Sequence, residues 1–246
     1  MRPIEKLNPG QNVTYMNSLG EMSEETIKPD YSSYGEAKMP LIGNIGYYCS
    51  YCESPRESGD LHVEHVNPKG KTGSPTAWKN FLLSCNICNS RKGTNSSVLQ
   101  GCHLPSENNT MLDFCYKPAG IIVINPQLTG ISFEHAQALA NMVKLLAYPG
   151  GPTKLSYKDF RWKKRGETWV IASSMHKKYK EGAVNVDEVI TAAHALGFWS
   201  VWFTIFEEDA VRKELINQFP GTAANCFDPQ KGYAPIERNP GQEDPV

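Results

Sequence analysis

The chain has almost no net charge. Twenty-five Lys and Arg stand against 26 Asp and Glu, leaving a formal −1. A protein that grips nucleic acid unaided carries a basic excess, so any basic surface here must be local, or a partner must help hold the substrate. Long apolar runs are also missing. The longest aromatic–apolar stretch, Phe198 to Phe206, falls far short of the ~20 residues that span a bilayer, and the opening MRPIEKLNPGQ lacks the apolar core of a secretory signal. There is no internal repeat. Cysteines are few and odd in number, seven in 246 residues. Cys102, Cys115 and Cys226 follow no spacing pattern and read as reduced thiols, which suits a cytoplasmic compartment with no membrane role. Apolar material as such is plentiful: 40% hydrophobic and 10% aromatic residues support a core and exclude disorder throughout.

What is there concentrates between Cys49 and Lys92. Two CxxC pairs, Cys49/Cys52 and Cys85/Cys88, each allow one tight turn to present both sulfurs to a single ion, and together they complete a tetrahedral zinc site. A zinc ribbon without chemistry would have the same spacing. Here, however, 32 residues (53 to 84) separate the pairs, and they contain the dipeptide Glu64-His65. Asn89 follows the last cysteine. Thiolates suit zinc, whereas a carboxylate, an imidazole and an amide oxygen suit a harder ion such as magnesium or manganese.

Around this stretch the pattern is mainly helical. Residues 1–30 are polar, with Pro3, Pro9, Gly10 and Pro29, and read as an arm that packs elsewhere or stays mobile. Tyr31 to Ile45 has partly helical spacing, with a kink or break expected at Pro40. Leu61–Val66 reads as a strand, residues 67–73 as a basic turn, Asn80–Ser84 as a return strand or the turn leading into it, and the segment from Cys88 as the start of a helix or one short turn of it. Residues 93–130 read as loop-rich, apart from a buried strand at 120–125. Helices are expected from Ser132 to about Tyr148, from Asp187 to Leu196, and as one long element from Phe198 to Phe219. The stretch 154–180 is the most basic and is interleaved with aromatics, a composition that serves phosphate contact and base stacking or else a solvated face. Residues 229–246 are Pro- and Gly-rich and are expected to be disordered.

The filled positions Cys49, Cys52, Glu64, His65, Pro68, Asn80, Cys85, Cys88, Asn89 and Lys92 resemble an HNH endonuclease of the ββα-metal type, in its zinc-stapled variety. The resemblance covers residues 49 to 92; it departs from the commoner pattern in having Glu for Asp and Asn for a final His. It implies an α+β fold, with a small ββα-metal core and structural zinc knuckle embedded in a mainly α-helical surround. The expected organisation is an arm at 1–30, the nuclease core at 31–100, a helical region at 101–228 and the tail beyond.

By the same resemblance His65 is the general base, and Glu64 and Asn89 hold a catalytic divalent ion, magnesium or manganese with nickel a further candidate. Asn80 fixes the loop that orients His65. Lys69 and Lys92, with Lys163, Lys164 and Arg165 of the basic stretch, are candidate phosphate contacts. His62 shares the face of Glu64 on a strand and is taken as a bystander; His103, His135, His176 and His194 are taken as ordinary. The opening MRPIEK and the YCSYCE knuckle also look like bacterial HNH proteins encoded beside ATPases, such as the nuclease partner in Septu-type antiphage systems. The implied partners are nucleic acid, DNA rather than RNA, and an ATPase. The competing reading is a zinc-stapled module that binds nucleic acid or protein and cleaves nothing.

Overall fold

The structure, a computed structural model, describes residues 1–17, 19–69, 73–94 and 101–246. Residues 70–72 of the expected basic turn and the end of the expected nuclease core, 95–100, lie outside the described residues.

The centre of the molecule is a two-stranded antiparallel ribbon. Strand β3 (Leu61–His65) pairs with β4 (Phe81–Cys85), placing Leu61 opposite Cys85 and His65 opposite Phe81. Side chains alternate across a strand, yet all of β4 is buried, so the ribbon is covered on both faces. On one face Leu61, Phe81 and Leu83 pack with Ile4, Val13, Ile27, Tyr31, Leu41 and Trp78. On the other, Leu82 and Val66 join a larger core that holds the four paired cysteines and the C-terminal helices. Helix α2 (Asn86–Lys92) follows β4 directly, completing a ββα unit.

The N-terminal segment is no loose arm. Met1 and Ile4 are buried, the Arg2 guanidinium donates to the carbonyls of Ile45 and Pro220, and its amide donates to Glu53. Strands β1 (Asn12–Met16) and β2 (Met22–Thr26) form a hairpin against α1 (Lys38–Ile45). The close approach requires a glycine, since a Cβ on Gly43 would lie 2.5 Å from the Thr14 carbonyl oxygen. The buried residues of this segment come from scattered positions and show no periodicity, so composition left packing and mobility both open, and the structure shows packing. Pro40 neither kinks nor breaks α1: it sits in the first turn, where the missing N–H has no partner to lose.

The surround is helical. It comprises α3 (Gly130–Met142), α4 (Arg161–Lys180), α5 (Val186–Leu196), α6 (Trp199–Ile205) and α7 (Asp209–Gln218), with a hairpin of β5 (Phe114–Lys117) and β6 (Ile121–Ile124) before them. Helix α5 starts at a capping box in which Asn185 accepts from the Glu188 amide and Glu188 reaches back to the Asn185 amide. The single long helix expected from 198 to 219 is two. Helix α6 is buried almost all round, whereas α7 buries only Val211, Leu215 and Ile216, and the Arg212 guanidinium takes the Phe206 carbonyl at the break. One straight axis would not serve both burial patterns.

The tail is packed as well, against the expectation of disorder. Strands β7 (Phe227–Asp228) and β8 (Ala234–Pro235) pair, and Asn109 donates to the carbonyls of Cys226 and Ile236. Asp244 lies between His103 and His135, and Val246 is buried. These partners come from more than a hundred residues upstream, so the tail's own composition gives no sign of them.

Candidate active site

The first cysteine pair precedes the ββα unit and the second sits at its β4–α2 junction. Cys49 and Cys52 form the first knuckle. Glu53 follows at φ 63, a left-handed conformation that a non-glycine residue holds only when its surroundings fix it. Here they do: the Glu53 carboxylate accepts from the Arg2 amide and from the Ser200 amide and hydroxyl, and its carbonyl accepts from the Phe198 amide. Cys85 ends β4 and Cys88 lies one turn into α2. The four sulfurs are buried and lie within 4.8 Å of one another, with Cys52 and Cys85 3.7 Å apart. Metal–sulfur bonds of ~2.3 Å directed to a tetrahedron give edges of ~3.8 Å. The cluster therefore has the chemistry and dimensions of a structural zinc site.

One contributor to this cluster had no signal in the sequence. Arg161, buried at the start of α4, donates to Cys88 Sγ at 3.1 Å, to the Val143 and Lys144 carbonyls, and to both oxygens of Asp159. Burial works against its charge, but the Cys88 and Asp159 charges prevail and hold its pKa above the ordinary value. A cation there offsets the excess negative charge of four thiolates on one divalent ion.

Glu64 and His65 point to opposite faces of β3. Glu64 is buried among the zinc-side residues: Oε1 meets Lys92 Nζ at 2.5 Å and Oε2 accepts from the Tyr51 hydroxyl at 2.6 Å. Lys92 is itself only 2% exposed and also donates to the His65 carbonyl. It is an internal counter-ion, so its expected role as a phosphate contact is corrected. Asn89, half-buried, precedes Lys92 by three positions on α2 and so shares its side of the helix. His62 is exposed.

The other face carries His65. The His65 ring is half-buried, in edge contact with Phe81 and Tyr34, and its Nε2 lies 2.9 Å from the Pro75 carbonyl. A carbonyl only accepts, so Nε2 carries the proton and a neutral ring keeps Nδ1 as its acceptor. Burial lowers the pKa below the imidazole value; the Pro75 carbonyl opposes this and the Lys69 charge reinforces it.

Pro75 is held in place by Asn80. Its side chain accepts from the Asn67 amide at 2.7 Å and donates to the Asn67 and Ser74 carbonyls at 3.0 and 2.9 Å. Gly73 fits beneath this clasp only because it lacks a Cβ, which would lie 2.2 Å from the Asn67 carbonyl oxygen. Asn80→Ala is expected to destabilise the protein by about 1–3 kcal/mol, the cost of a buried group left unsatisfied. The measurement is a chemical-denaturation midpoint alongside zinc content, which should not change.

Of the remaining candidates, Lys69 is exposed with its ammonium 3.6 Å from the Tyr34 ring centroid, beside His65. Lys163 and Lys164 are exposed on α4, Lys164 paired with Glu167. Arg165 is not available to substrate: it is 2% exposed and its Nε donates to the Gly120 carbonyl. Within the basic stretch the inward face of α4 is Arg161, Arg165, Thr168 and Ala172, a helical stripe hidden by its polarity.

Comparison with known proteins agrees with this geometry. Residues 49–95 match the family model of the HNH endonuclease. The Septu protein PtuB of Bacillus thuringiensis is 29% identical over 119 residues, covering 44% of this chain and 46% of that protein. The chain thus spans about half the length of the curated relative it matches. No solved structure matches. With the ββα unit, the four-cysteine cluster and the oriented histidine in one segment, residues 49–95 constitute an HNH endonuclease domain.

Proposed function

We propose that the chain is a metal-dependent endonuclease that hydrolyses phosphodiester bonds of nucleic acid, DNA in preference to RNA. It acts as the effector of a bacterial antiphage defence system with an ATPase partner. The observation that carries the chemistry is the His65 ring, fixed by Pro75 through Nε2 with Nδ1 left to accept. Neutral His65 takes a proton from water as the water oxygen attacks phosphorus; the bond from phosphorus to the leaving oxygen then breaks, and that oxygen is protonated from solvent. Tyr34 and Phe81 hold the ring edge-on from its sides, and Asn80 keeps Pro75 in register.

Glu64 and Asn89 offer oxygen donors of the kind magnesium, manganese or nickel takes; Glu64 Oε1 is held by the Lys92 ammonium and Oε2 by the Tyr51 hydroxyl, and an ion at that carboxylate would displace Lys92. A bound divalent ion would supply positive charge against the charge that develops on the phosphate and leaving oxygen. The cysteine cluster takes zinc.

Similarity to a Septu protein and a chain charge of −1 support delivery to substrate by a partner. The test is incubation of linear and supercoiled DNA, and of RNA, with the purified chain, with or without its co-expressed ATPase, in magnesium or manganese against chelator. Binding without cleavage under every condition would leave a zinc-stapled binding module.

Lys163 and Lys164, two of the exposed cations of α4, are proposed to hold substrate backbone. Changing both to Ala is expected to lower the slope of log affinity against log salt by about 1.8, at ~0.9 for each duplex phosphate that a lysine neutralises. Fluorescence anisotropy on labelled DNA at several salt concentrations measures it; an unchanged slope assigns these lysines to the solvated surface.

A further inference from the structure

Outside the HNH segment, three parts of the chain far apart in sequence bring their metal-ligating groups to one point. His103 Nε2 lies 2.9 Å from Asp244 Oδ2, and His135 Nδ1 is in hydrogen-bond contact with the same oxygen. The three donor atoms fall within 4.8 Å of one another. Ligands at ~2.0–2.1 Å around one tetrahedral ion stand ~3.3 Å apart, slightly wider than the 2.9 Å between His103 and Asp244, so an ion would enter by replacing the protons now shared between Asp244 and the imidazoles.

The supports of these ligands are of the kind metal sites use. His103 Nδ1 meets Asp113 Oδ1 at 2.7 Å, and Asp113 is fully buried with its second oxygen unpartnered. A carboxylate behind a histidine fixes the tautomer that leaves Nε2 free for an ion. Ser132 donates to Asp244 Oδ1 at 2.7 Å, an oxygen that also lies 3.0 Å from His103 Nε2, and this contact holds the carboxylate between the histidines. Gly101 lies so close that a Cβ would come within 2.1 Å of His135 Nε2. Two aspartates bring two negative charges into a half-buried place, and one divalent cation with two neutral imidazoles balances them.

We propose that His103, His135 and Asp244 form a second metal site, for a borderline divalent cation of the zinc class, separate from the cysteine cluster. Two imidazoles and one carboxylate are the donor set that zinc takes. Three protein ligands leave a coordination position open, and all three residues line a cleft of about 810 Å³ that they share with Asn67, Gly73 and Asn80. That position takes water or an oxygen ligand from the cleft. Bound metal also ties Asp244, and with it the C-terminal segment, to α3 and to the chain at His103.

Metal content and thermal stability test this without reference to nuclease activity. The full chain, purified and freed of loosely held metal, is titrated with zinc and passed through a desalting column, and its zinc is counted by mass spectrometry. Two zinc per chain are expected for wild type and for Cys115→Ser. One is expected for His135→Ala and for Asp244→Asn, with the cysteine-bound zinc retained. Asp113→Asn should weaken the second zinc by about 10–100-fold, as loss of a supporting carboxylate does. Asp244→Asn keeps the side chain's size and should fold; its melting temperature should not rise with added zinc, whereas that of wild type should. One zinc in wild type, or an equal zinc-dependent rise in wild type and Asp244→Asn, overturns the site and leaves the cluster as an ion-pair latch for the tail.

Discussion

Cys85→Ser is expected to yield protein that is insoluble or unfolded. Structural zinc contributes on the order of 10 kcal/mol in small zinc-dependent units, comparable to the whole ~5–15 kcal/mol by which a domain is stable. The position magnifies the effect. Cys85 ends β4 opposite Leu61, is buried, and joins both knuckles to a core that runs from Met1 to Phe227. Losing the ion also leaves Arg161 buried beside protonated thiols, with its compensation reduced to Asp159 and two carbonyls. Far-ultraviolet circular dichroism and zinc content decide the matter, with Cys115→Ser as the control, since Cys115 lies outside the cluster. A Cys85→Ser protein that stays folded without zinc would show that the cysteines are not the staple.

His65→Ala should remove cleavage and little else. The ring is half-buried and, among the described residues, hydrogen-bonds to the Pro75 carbonyl alone, so its loss leaves that carbonyl without a donor on the exposed side of the molecule. A positioned general base contributes ~10²–10⁴-fold to rate, and a loss of at least ~100-fold is expected with folding, zinc content and DNA affinity unchanged. Single-turnover cleavage of labelled DNA at saturating enzyme reads the chemical step apart from binding. Cleavage at the wild-type rate, from a preparation free of contaminating nuclease, would sink the assignment of His65 as base. Unchanged rate together with weakened binding would instead make His65 a contact for the substrate.

The ββα unit was readable because its signals are local. The CxxC pairs fix two turns; the alternation Leu61, Val63 and His65 against His62 and Glu64 fixes the strand faces; and the residue types state the chemistry. Helix α5 was readable for the same reason, since its apolar face lies within a dozen residues, although its cap is Asn185 and not Asp187, which lies in the first turn. Arg165 and Lys92 read as surface cations because long basic side chains are solvated by default. Their burial depends on the Gly120 carbonyl and on Glu64, which lie 45 and 28 positions away in sequence.

The sequence by itself determined the segment, its ligand types and the parity that separates Glu64 from His65, since all of these follow from spacing and strand period. Tertiary structure alone decided which of those groups stand free. It placed Lys92 on Glu64, Pro75 on His65 and Arg161 on Cys88, and it gathered His103, His135 and Asp244 across more than a hundred residues. Each of these pairings is set by which chain segment comes to rest against another when the cores close, and that depends on packing over the whole chain and not on any local run of residues.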